Sequence, residues 1–61
     1  MNQRTMTNYD RLALAADWRI EQLEPAIETA RYPATKRQLA QERNRLRRFV
    51  RFCHLATEFH A

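Results

Sequence analysis

The chain has 61 residues, with 11 Lys or Arg against 7 Asp or Glu, one cysteine, two histidines and no glycine. So short a chain forms one domain, 1–61, and gains little beyond its ordering cost of about 1.5 kcal/mol per residue, so it needs a further staple. A lone Cys53 excludes a disulfide framework, His54 and His60 alone argue against a closed metal site, and the absence of glycine argues against hairpin turns, phosphate loops and nucleotide fingerprints.

No apolar run approaches the roughly 18 residues of a membrane span, and "MNQRTMTNYD" lacks the apolar centre of a secretory signal. An unpaired thiol fits a reducing compartment. The expectation is a cytoplasmic, soluble, all-α protein without cofactor, stapled by oligomerisation.

In chain order, "TNYD" opens a first helix, with Thr7 as cap and Asp10 reaching back in a capping box. The helix is predicted over about residues 8–31, with Tyr9, Leu12, Ala16, Ile20, Leu23, Ile27 and Ala30 in one apolar stripe. Pro25 removes one backbone donor from its interior, and because Ile27 and Ala30 stay in phase with Leu23, a kink rather than a break is predicted there. Pro33 ends the helix in a turn at about 32–34. Thr35 and Gln38 repeat the capping-box spacing and open a second helix over about 35–60, whose stripe is Leu39, Leu46, Phe49, Val50, Cys53 and Ala56. Two helices joined by so short a turn must run antiparallel.

The end of helix 2 is too apolar for one neighbour. Adding Phe52, Leu55 and Phe59 to Phe49 and Ala56 spreads apolar atoms over about 200° of its circumference, whereas one partner needs roughly 100°. The uncovered side predicts a homodimeric four-helix bundle with Phe49, Phe52, Leu55, Ala56 and Phe59 in its interface. The alternative is that Phe52, Leu55 and Phe59 receive a different protein.

Charge is split between the halves: residues 1–32 carry four Arg and five acids, residues 33–61 seven Lys or Arg and two Glu. On helix 1, Asp10, Asp17, Glu21, Glu24 and Glu28 form an acidic row, beside which Leu14 and Trp18 lie four residues apart, turned away from the apolar stripe. A Trp with a Leu neighbour inside an acidic rim has the layout of a binding hot spot for a basic protein; it also suits a Trp covered by a dimer neighbour. On helix 2, Lys36, Arg37, Arg43, Arg47, Arg48 and Arg51 gather on the side opposite Leu46, Phe49 and Cys53, with Arg45 apart beside the Phe52 row. Three readings stand open for Arg37, Arg43, Arg47, Arg48 and Arg51: an RNA- or DNA-phosphate surface, a match to the acids of helix 1, or a dock for an acidic protein.

The predicted hairpin resembles, in size and layout along the whole chain, a plasmid-encoded RNA-binding helical hairpin that dimerises into a bundle. It is also similar to small phage-encoded anti-host proteins of the anti-quorum-sensing and anti-CRISPR kinds. The second resemblance implies a protein that binds and inhibits a bacterial regulator or ATPase, and it assigns no role to any residue.

Chemistry is not written into this chain. Cys53 and His54 are adjacent and point about 100° apart on a helix, so Cys53 is expected to be a buried apolar residue. His54 and Glu58 have the spacing of an ion pair, His60 lies near the chain end, and a convex acidic row offers no cleft in which two carboxylates divide acid and base roles. The function expected is therefore non-enzymatic: a module that sequesters or inhibits a partner protein through Leu14, Trp18 and the acidic row, with nucleic-acid binding by helix 2 as the alternative.

Overall fold

A computed structural model of the chain describes residues 7–59, which form two helices, α1 (Asn8–Thr29) and α2 (Pro33–Phe59), and no strand. The expectations placed on residues 1–6 and on His60 lie outside the described residues.

The start of α1 follows from its cap. The Asp10 N–H donates to Thr7 Oγ1 at 3.1 Å, and the Thr7 N–H donates to Asp10 Oδ2 at 3.0 Å, so two of the free donors of the first turn are satisfied reciprocally. The end of α1 falls two residues before the predicted one. Ala30 turns extended, with φ −63° and ψ 127°, and the Thr29 hydroxyl donates back to the Pro25 carbonyl at 2.9 Å. Between these ends α1 is continuous through Pro25, which sits on its exposed side.

The second start corrects the sequence reading. Pro33 was expected to stop helix 1 and Thr35 to cap helix 2; instead Pro33 is the first residue of α2, and Thr35 lies inside its first turn. Proline suits that place, because its fixed φ is helical and its missing N–H falls where no partner exists anyway. The Tyr32 carbonyl already accepts from the Lys36 N–H at 3.0 Å. The turn is thus residues 30–32, and among the described residues no φ is positive, so reversal by an extended Ala30 followed by Pro33 needs no glycine.

The helices are antiparallel. Ten residues forward along α1, from Tyr9 to Arg19, correspond to ten residues back along α2, since Tyr9 meets the Phe52 ring and Arg19 meets Glu42. The resulting slab measures 50 × 20 × 12 Å, and its thin dimension is one helix diameter. Its core is a single seam.

On α1 that seam holds Ala13, Ala16, Leu23 and Ile27, buried, with Tyr9, Ile20 and Ala30 half-buried. These residues alternate steps of four and three, the 3.5-residue repeat of a coiled coil. On α2 the same alternation selects Leu39, Arg43, Val50 and Leu46, half-buried, and Cys53 and Thr57, buried. Three expectations are corrected by this repeat. Leu12 is 48 % exposed, and the adjacent Ala13 takes its place in the seam; Phe49 is flanking and exposed; and Thr57, not Ala56, is buried. Thr57 tolerates burial because its hydroxyl donates to the Cys53 carbonyl at 2.9 Å.

Candidate interaction surfaces

The seam divides the rest of the surface into two flanks and two outer faces. One flank is marked by the pair from Arg19 Nε to Glu42 Oε2 at 2.9 Å. Leu12 lies seven residues from Arg19, and Phe49 seven from Glu42, so both share this flank with Phe52, whose ring stands edge-on to Tyr9 at 6.1 Å. The opposite flank is marked by Glu24, which accepts from Arg47 Nη2 at 2.8 Å and has Arg43 Nη1 at 3.6 Å.

The acidic row predicted on α1 is therefore divided. Asp10 is engaged in the N-cap, and Glu24, its side chain 41 % exposed, is held by two arginines of α2. Asp17, Glu21 and Glu28 remain exposed and make no ion pair with another described residue. The basic row is divided by the same contacts: Arg43 and Arg47 face Glu24, while Arg37, Arg48 and Arg51 are exposed and without a carboxylate among the described residues. Arg37 to Arg51 spans about 21 Å at 1.5 Å per residue.

Leu14 and Trp18 stand on the outer side of α1, 55 % and 63 % exposed. Trp18 sits seven residues before Pro25 and three before Glu21, so indole, carboxylate and pyrrolidine ring share one outer strip. The expected interface residues Phe49, Phe52, Leu55 and Phe59 are exposed, Phe59 by 85 %, and Ala56 is half-buried among them.

Sequence reasoning missed the Arg19–Glu42 pair. Its signal lay in the 3.5-residue repeat, which puts Arg19 and Glu42 just outside the seam, but their contact also depends on the register set by the turn. The anticipated ion pair of His54 with Glu58 is absent. Cys53 is fully buried and His54 is exposed, so thiol and imidazole are separated by the helix surface as their spacing implied. Among the described residues, no group of three or more His, Cys, Asp or Glu side chains is placed to hold a metal ion, and no helix is long and apolar enough to cross a membrane.

Compared with protein-family models, with curated proteins and with solved structures, the chain matches none. Its surfaces alone carry the functional reading.

Proposed function

We propose that the chain is a non-enzymatic, cytoplasmic protein-binding module, a homodimeric four-helix bundle that sequesters or inhibits its partner. The observation that carries this reading is Trp18, 63 % exposed beside Leu14 on the outer face of α1. A bare indole in water loses the burial its large apolar surface favours, and Trp is among the side chains that dominate binding interfaces. Asp17, Glu21 and Glu28 form a rim that no cation of the described residues neutralises, so the complementary surface is an apolar pocket edged by Lys or Arg. In this reading a bend of α1 at Pro25 shapes the end of that strip.

The likeness to phage-encoded anti-host proteins directs the search toward a bacterial DNA-binding regulator, whose phosphate-contacting cations suit an acidic rim, or an ATPase. A second reading rests on Arg37, Arg48 and Arg51, which have no carboxylate to hold them and suit RNA or DNA phosphates.

One capture experiment separates the two. Tagged wild-type chain, Trp18→Ala and Arg48→Glu/Arg51→Glu are incubated with lysate of the source cells, with and without nuclease. The protein-binding reading expects a nuclease-resistant protein that Trp18→Ala loses and the arginine variant keeps. Material released by nuclease, and lost only with the arginine variant, overturns it in favour of nucleic acid. Since Trp18 is outside the seam, its replacement should leave thermal stability within about 0.5 kcal/mol, so loss of capture reads binding and not folding.

A further inference from the structure

α2 carries a second repeat of the kind that builds its seam. Arg45, Phe49, Phe52, Ala56 and Phe59 follow one another in steps of four, three, four and three, on the flank marked by Arg19 and Glu42. The first repeat is covered by α1; the second is touched by α1 where the Phe52 ring meets Tyr9 and is half-buried at Ala56, but its three phenylalanines stay exposed. We infer that this row is the contact between two copies of the chain, and that the copies cross antiparallel about a two-fold axis near residue 54, so that Phe52 of each lies level with Ala56 of the other. The inference rests on the reading of the chain as a homodimer and adds its direction and register.

Three observations select a second copy in this orientation. The first is area. At about 200 Å² for a whole large side chain, the exposed parts of Phe49, Phe52 and Phe59, with Leu12 beside them on α1, amount to roughly 450 Å² of apolar surface. A stable interface of standard size buries about 800 Å² per partner, somewhat over half of it apolar, so the row matches what one copy must contribute.

The second is shape. In a parallel pairing Phe52 would meet Phe52 and Ala56 would meet Ala56, a bulge beside a gap. Antiparallel pairing about residue 54 sets each Phe52 into the space left by the other copy's Ala56, and Phe49 level with Phe59.

The third is charge. Parallel copies would bring Arg45 of the row level with the other copy's Arg45 inside the contact, which is repulsive. Antiparallel copies overlap only toward the open ends of the hairpins, and Arg45 then falls beyond the described end of the other α2. The four-helix cross-section is confined to that overlap, and the two turns lie at opposite ends of the particle.

The test uses the full chain. Light scattering should give twice the 7.4 kDa chain mass, and Phe59→Glu should halve it while the helical circular dichroism is unchanged. A nitroxide on Gln41→Cys, in a Cys53→Ala background, should report a distance between copies of about 40 Å, from thirteen residues on each side of the axis at about 1.5 Å per residue. A dimer with spin distances under about 20 Å overturns the antiparallel arrangement and leaves the homodimer standing. A chain that stays monomeric at millimolar concentration overturns both, and a Phe59→Glu variant that remains dimeric shows that another face makes the contact.

Discussion

The two halves of the hairpin use their large apolar side chains in opposite ways. Toward the turn, Leu23, Ile27, Leu39 and Leu46 face the seam, and the flanks carry charge, with Glu24 between Arg43 and Arg47 and Arg19 against Glu42. Toward the open end, the buried seam residues are Ala13, Ala16, Cys53 and Thr57, all small, while Leu12, Leu14, Trp18, Phe49, Phe52, Leu55 and Phe59 stand outside it. Toward the turn the large apolar side chains point into the seam; the open half is richer in them, yet it fills its seam with small residues and leaves most of the large ones outside. A displacement of one position along the chain decides between the two places, as Leu12 and Ala13 illustrate.

If the turn half supplies most of the stability, Leu23→Ala should have the largest effect. Leu23 is only 1 % exposed, and such truncations cost 2–5 kcal/mol, of the order of the whole stability of so small a chain. Circular dichroism at 25 °C should show the variant largely unfolded, and a cooperative fold that survives would place the main core elsewhere. Pro25→Ala acts in the other direction. Restoring the missing donor in an exposed helix interior should stabilise by about 3 kcal/mol and raise the melting temperature, unless the surrounding packing has adapted to the proline.

The open half is probed by enlarging its seam. Ala16→Leu adds bulk where the helices have none to spare and should destabilise by about 1–3 kcal/mol in a denaturant titration. A neutral result would mean that the small residues leave unused space, and the contrast between the halves would weaken. Smallest is the charged flank: Glu24→Gln removes the carboxylate common to two arginines, yet all three side chains reach water, so about 0.2–1 kcal/mol is expected, shrinking further with added salt. A double-mutant cycle with Arg47→Gln measures it.

Much of the fold was legible before the structure. The Thr7 and Asp10 cap depends on four consecutive residues, and burial of Cys53 follows from its phase alone, so both could be read locally. What could not be read locally concerns registration. Leucine outweighs alanine on any apolar scale, so Leu12 was placed in the seam; only the partner helix distinguishes a 3.5-residue repeat from one of 3.6. Thr57 reads as polar until its hydroxyl is seen to serve the Cys53 carbonyl. Pro33 fits either the end of one helix or the start of the next, and choosing the wrong side moved the turn by two residues. The acidic and basic rows were visible as rows, but which members neutralise each other depends on the offset between helices, and so the division of Glu24 from Glu21 and Glu28 was hidden.

The proline within α1 has a chemical by-product. Having no N–H, Pro25 leaves the peptide oxygen of Glu21 without its usual donor one turn back. That oxygen belongs to the residue one turn beyond Trp18, among carboxylates, where its free lone pairs add a neutral acceptor to a ring of anionic ones. The lost bond falls on the outer side of the helix, where Glu21 and Pro25 are both exposed, so water rather than a backbone donor is the partner at hand for that oxygen.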